Sequence, residues 1–276
     1  MLIPCWHLCL LYFTSSLAAQ TTADQPHLNE AYQLKTAING TFLTFTTDQL
    51  QQIYTVTTNN ELVKYNIEGA ELFRYSNNRL GQLQSVDASN PLNPLLFYPD
   101  YQIAIILDRT LNPNTQVNFL ELEEQVQSSV ITLGSDNQIW LYDEFNFQLK
   151  KLSQSGQITD KSEDMSLLFS NIPEIKQLEA DHIHLVANAP ETGLLVFDNF
   201  GQFDKLIPIK NIDYIQLEDR RLFYQKEGQY FVYNFRTLAE TPLTLPFHPE
   251  ASDFIRLQKN YLFRLKKDRL EIYSLQ

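Results

Sequence analysis

From Glu30 onward, apolar and polar positions alternate in short runs rich in Tyr, Phe, Ile, Val, Leu and Thr, and clusters of Asn, Asp, Gly, Pro and Ser separate the runs. A period of two belongs to β-strands and the separators are turn formers, so the pattern predicts an all-β chain. Helical periodicity is scarce. The one helix-like stretch, Asp164 to Glu179, is interrupted by Pro173 and reads as a connection into the next strand.

The most strongly alternating runs resemble one another. Taking Glu61–Asn66 as reference, similar runs lie at Gln102–Asp108, Phe147–Ser153, Gly193–Asp198, Gln229–Asn234 and Arg269–Ser274, and each contains a large apolar residue followed by Asn, Asp or Ser. The apolar members, Tyr65, Leu107, Leu152, Phe197, Tyr233 and Tyr273, are 36 to 45 residues apart. That interval is one four-stranded propeller blade.

A second marker has the same period. An Asp follows an apolar strand at Asp48, Asp87, Asp136, Asp181 and Asp219, and the sixth unit has Lys259-Asn260 in that place. Asp and Asn suit turns because their side chains accept hydrogen bonds from nearby backbone N–H groups and tolerate left-handed geometry. A residue needed in every unit reads as scaffold, so these aspartates are assigned to structural turns rather than to catalysis or calcium.

The first unit shows the whole design: Phe42–Thr46, a turn at Asp48, Ile53–Thr57, a turn at Asn59-Asn60, Leu62–Tyr65, a turn at Glu68-Gly69, then Leu72–Tyr75. The sixth unit shows only three strands, while an unassigned strand-like run, Tyr32–Ile38, precedes the first. The expectation is an all-β, six-bladed β-propeller closed by an N-terminal strand, one domain over residues 30–276, because closure removes exposed sheet edges. Irregular insertions are expected at Asn90–Asp100, Leu111–Gln116 and Ser162–Lys176.

The layout resembles six-bladed propellers of the NHL-repeat and TolB-like group, and the stretch Val130–Leu152 carries the resemblance best, although the usual turn glycine stands as Gln138, His182 or Arg221. The resemblance implies a fold. Some propellers of this kind are hydrolases or lactonases with a channel metal held by Glu, Asn and Asp, but no such ligand set maps onto this chain.

Residues 1–19 contain no Asp, Glu, Lys or Arg, and carry an apolar core, Leu8–Phe13, ahead of Ser16 and Ala18. This reads as a signal peptide, followed by a flexible segment over residues 20–29, and hence as export to the periplasm or cell envelope. The leader ending in Ala18-Ala19-Gln20 and the richness in Asn, Gln and Tyr are similar to exported proteins of the Bacteroidota. Both cysteines, Cys5 and Cys9, lie in the leader, so disulfides and cysteine metal sites are not expected in the mature chain. No later stretch reads as a transmembrane segment.

With 33 acidic against 21 basic residues and a formal charge of -12, nucleic acid is a poor partner. His182 and His184, two apart, would share a strand face and are the one pair that a metal site could use; ordinary strand positions beside Asp181 are the preferred reading. Asn39-Gly40-Thr41 forms a glycosylation sequon, read as coincidental, and the aromatic residues are assigned mostly to packing between blades. No nucleophile motif, phosphate-cradling glycine loop or calcium loop occurs. The sequence therefore predicts a monomeric, non-catalytic scaffold for a protein partner, without cofactor. The rival is a metal-assisted hydrolase or lyase acting on a small molecule or glycan in the channel.

Overall fold

The computed structural model describes residues 32–250 and 252–275; the segments read as a signal peptide and a flexible linker lie outside them. Six four-stranded antiparallel sheets follow one another along the chain. Blade 1 holds Phe42–Thr47, Ile53–Thr57, Glu61–Tyr65 and Glu71–Ser76. Blade 2 holds Ser85–Asp87, Leu95–Tyr98, Ile103–Leu107 and Pro113–Asn118. Blade 3 holds Ile131–Leu133, Ile139–Asp143, Gln148–Leu152 and Ile158–Lys161, and blade 4 holds Gln177–Ala180, His184–Ala189, Gly193–Asp198 and Phe203–Ile207. Blade 5 holds Ile212–Glu218, Arg221–Lys226, Gln229–Asn234 and Ala239–Pro242. Blade 6 takes Phe254–Gln258, Tyr261–Leu265 and Arg269–Ser274 from the end of the described chain, and its fourth strand, Gln33–Asn39, from the beginning.

That fourth strand is the closure expected from the sequence. Gln33 to Asn39 pairs antiparallel with Arg269 to Ser274, from Gln33 opposite Ser274 to Asn39 opposite Arg269. It covers an edge that would otherwise expose a row of unpaired backbone groups.

The core is divided into six clusters, one at each blade–blade interface. Tyr54, Val56 and Leu62 of blade 1 meet Leu96, Tyr98 and Ile105 of blade 2. The opposite face of blade 2, through Leu95, Phe97 and Ile106, meets Ile131, Leu141 and Leu152 of blade 3. Similar clusters join blades 3 and 4, 4 and 5, and 5 and 6. Phe263, Leu270 and Ile38 of blade 6 against Phe45 and Ile53 of blade 1 complete the ring. Central strands are thus buried on both faces, which is why Ile103–Leu107 is apolar throughout rather than alternating.

The turns after the third strands repeat one device. The side-chain oxygen of Asn66, Asp108 or Asp198 accepts hydrogen bonds from the N–H groups two and four residues ahead, at 2.8 to 3.2 Å. Asn234 caps its turn through the N–H groups two and three residues ahead, and the Ser153 hydroxyl accepts from Gln157 N–H.

Two expected insertions are corrected. Asn90–Asp100 contains Leu95–Tyr98, a fully buried strand, and Leu111–Gln116 runs into the outer strand Pro113–Asn118. Ser162–Lys176 is a connection, with one helical turn at Met165–Leu168 capped by the Asp164 carboxylate.

Candidate functional site

The six innermost strands surround a central cavity of about 650 Å³. Because side chains two apart share a strand face, each inner strand can contribute one residue to a belt at mid-depth: Thr46, Asp87, Thr132, Glu179, Gln216 and Arg256, all of which line the cavity.

Much of this belt ties neighbouring blades together. The Asp87 carboxylate accepts hydrogen bonds from Thr132 Oγ1 at 2.8 Å and from the Leu133 N–H at 2.7 Å, both in blade 3. Gln177 pairs its amide with both backbone groups of Ile215, and Gln216 does the same to Leu257. Thr47 Oγ1 donates to Gln258 Oε1 at 3.2 Å across the closing interface, and Gln258 Nε2 donates to Glu218. A side-chain amide used in this way acts as an extra rung between inner edges whose backbone groups have no ladder partner.

Arg256 of blade 6 also reaches blade 5, but its pairing is incomplete. It donates to the Tyr214 hydroxyl, while its Nε is sealed from solvent and has no hydrogen-bond partner among the described residues. Burial opposes its charge, yet Tyr214 and the carboxylates of Glu179 and Asp87 hold its pKa above the ordinary arginine value. No carboxylate among the described residues lies within ion-pair distance of it. Glu179 accepts from Gln177 Nε2 at 3.0 Å and its carboxyl is pushed up to about 7, first by burial and then by Asp87, against the pull of Arg256. Burial likewise raises Glu218. Phe254 sets its ring edge-on to Tyr214 at 4.4 Å and also lines the cavity.

The turn aspartates take different positions. Asp48 accepts from Leu50 N, Gln52 N and the Tyr54 hydroxyl, and Asp136 accepts from Gln138 N. Asp181 accepts from Ile183 and His184 N–H groups. Asp87 caps Ser89 N in addition to its bonds to blade 3. Asp219 makes its turn through backbone alone, with φ of 49° there and 61° at Arg220.

His182 and His184 do not share a strand face, which corrects the expectation. His182 lies in the turn ahead of the strand and lines the cavity mouth, whereas His184 opens the strand with its ring stacked on Phe235 at 4.4 Å. Among the described residues no three His, Cys, Asp or Glu side chains converge on one point.

A repeated lysine escaped the sequence reading. Lys64 and Lys151 each stand just before the closing apolar residue of the third strand; each reaches a turn carbonyl of the next blade, Arg109 O at 2.9 Å and Asn199 O at 3.2 Å. Each also lies over the aromatic ring of its second strand, Tyr54 or Trp140. The shared position, with Asp48 and Asp136 ahead of it, was the available signal.

A second surface arises at the end of the blades where the second-to-third strand turns and the inter-blade connections meet. Gln102 clamps Ser128 through paired bonds, Phe119 N donates to Gln102 O, Glu144 N to Gln127 O, and Met165 N to Phe147 O. These contacts join the connections 119–130 and 162–176 to blades 2 and 3 as one continuous arc. Tyr101, Leu120, Phe145, Leu167 and Ile172 are exposed on it, Leu167 to 82%. Asp100, Glu121, Glu123, Glu163 and Glu174 are exposed among them.

The fold defines the class: this chain is a six-bladed β-propeller. No family model matches the sequence, and neither does any curated protein. Among solved structures it is similar to the Pan2 WD40 domain of Neurospora crassa, with 8% identity, a TM-score of 0.64, and coverage of 89% of this chain and 96% of that one. BBS1N, solved in complex with ARL6DN, gives 10% identity, a TM-score of 0.59 and coverage of 90% and 97%. A catalytically inactive virginiamycin B lyase from Staphylococcus aureus, solved with quinupristin, gives 14%, 0.57, and 89% of each chain. At these identities the likeness is one of architecture.

Proposed function

We propose that this chain is a non-catalytic protein-binding scaffold, exported to the periplasm or cell envelope, and that it receives its partner on the arc over blades 2 to 4. The observation that carries this reading is the arc itself: five large apolar side chains stand exposed within an acidic surround on a rigid ring. Apolar anchors with a charged rim are the anatomy of a protein interface, and connections on a repetitive scaffold are where binding residues collect. The complementary partner is a segment with apolar anchors and a net positive charge. No helix among the described residues is long and apolar enough to cross a membrane.

The test is quantitative capture from envelope extracts with the wild-type chain and with Leu167→Asp and Phe145→Asp, both at exposed sites where folding tolerates change. A specific partner retained by wild type and reduced at least tenfold by either variant supports the reading. Equal recovery by all three places the interface elsewhere.

A further inference from the structure

We propose that the outer edge of blade 1 is a self-association site, where the strands Glu71–Ser76 of two copies pair antiparallel and make a two-fold dimer in place of the monomer expected from the sequence. Blade 1 lies outside the arc over blades 2 to 4, so the dimer does not rest on the arc reading, and both arcs stay open to a partner.

Glu71–Ser76 ends its sheet, and among the described residues nothing pairs with its outer side. Five of its six residues are exposed, Leu72 and Phe73 each to 38%, and only Tyr75 is half-buried. Such an edge is a template for another strand unless it is blunted. The other five outer strands are blunted. Pro113 and Pro242 each remove a ladder donor, and Lys35, Lys161 and Lys205 set in the strand the residue type that edges use against pairing. Glu71–Ser76 has neither proline nor lysine.

The occupant follows from how its side chains divide between the two faces. Residues opposite each other in an antiparallel pair share a face. Phe73 stands opposite Lys64 and Tyr75 opposite Leu62, so both rings lie on the face turned toward blade 2. Glu71, Arg74 and Ser76 stand opposite Tyr65, Val63 and Glu61 on the other face, where Arg74 holds Glu71 at 2.9 Å and Glu61 at 2.6 Å. A bulge between Glu71 and Phe73 is what lets Glu71 and Arg74 share a face although they are three residues apart.

A two-fold axis perpendicular to the sheet keeps each face on its own side. Placed beside Phe73, it brings that ring against its counterpart, and on the other face it lays Glu71 of each copy beside Arg74 of the other. Ring meets ring and each charge meets its opposite, which is the self-complementarity an isologous interface requires. A strand carrying one sign of charge would satisfy Arg74 or Glu71 and repel the other. The shared edge is short, so the dimer is a weak one.

Sedimentation velocity tests this at loadings from about 1 µM to about 1 mM in about 0.15 M salt, where the chain's charge of -12 is screened beyond about 8 Å. Wild type should pass from monomer to dimer across that range. Phe73→Lys, which sets two lysines against each other, should weaken the dimer about tenfold or more. Leu206→Lys, at an equally exposed position on the outer strand of blade 4, should leave it unchanged. Arg74→Glu alone and Glu71→Arg alone should each stay monomeric, because like charges then face one another, and an equimolar mixture of the two should form a heterodimer. All these positions are exposed, where folding tolerates change. Wild type that stays monomeric at about 1 mM, a dimer unaffected by Phe73→Lys or weakened as much by Leu206→Lys, or charge variants that dimerise alone or fail to dimerise when mixed would each overturn the proposal.

Discussion

Asp48 is sealed from solvent and anchors a chain of contacts from its own turn to the next blade: it takes the Tyr54 hydroxyl, and Lys64, over the Tyr54 ring, reaches Arg109 O. Burial raises the Asp48 carboxyl and lowers the Lys64 ammonium, so the two charges depend on each other. The two form no direct ion pair; Asp48 instead holds the Leu50 and Gln52 N–H groups and the buried Tyr54 hydroxyl, and leaving such groups unpaired costs about 1 to 3 kcal/mol, while Lys64 loses a favourable field that an apolar replacement would not need. Asp48→Ala should therefore lower the unfolding free energy by about that amount, and the double variant Asp48→Ala with Lys64→Met should recover part of it, as measured by urea denaturation. Glu179 gives a pH prediction. Its carboxyl titrates near 4.5 when unfolded and about 7 when folded, so the folded state holds its proton longer, and stability falls as pH rises from about 4.5 to 7. Glu179→Gln should be more stable than wild type at pH 8 by about 1 to 3 kcal/mol, with the advantage shrinking toward pH 4. Thermal unfolding of both proteins across that range checks the sign.

At the scale of elements, the strand Gln33–Asn39 has most to do with integrity. Ile38 is buried in the cluster between blades 6 and 1, so Ile38→Asp places a charge there and exposes the edge Arg269–Ser274. A loss of about 3 kcal/mol or more and concentration-dependent aggregation are expected in denaturation and light scattering. The third strands were legible in the sequence because in blades 1 to 5 each is followed or ended by a side chain that caps the next turn, as Asn66 and Asp198 do. Leu95–Tyr98 was hidden because Asn90-Pro91-Leu92-Asn93-Pro94 just ahead of it is dense in turn residues that belong only to the turn. Pro113–Asn118 was hidden because an outer edge strand is polar and can begin with proline, whose missing N–H faces solvent. The channel belt was illegible for a related reason. Inner strands carry different residues in each blade, so Glu179 in Gln177–Ala180 and Arg256 in Phe254–Gln258 never entered a repeat. Charged residues inside otherwise apolar inner strands were the trace they left.

Across the whole molecule, six interfaces share the burial and no blade has a core of its own, so stability belongs to the closed ring. The same closure shapes the channel around Arg256 and holds the arc over blades 2 to 4 at fixed spacing. An engineered disulfide tests that closure directly, since both native cysteines lie at positions 5 and 9, ahead of the described residues. Gln33 stands opposite Ser274, and a bridge between them would close a loop spanning nearly the whole ring, contributing about 5 to 6 kcal/mol by chain entropy if unstrained. For Gln33→Cys with Ser274→Cys, mass spectrometry should find a disulfide within one molecule, and oxidation should raise the melting temperature. Free thiols after oxidation, or bridges only between molecules, would contradict a ring closed by its own first strand.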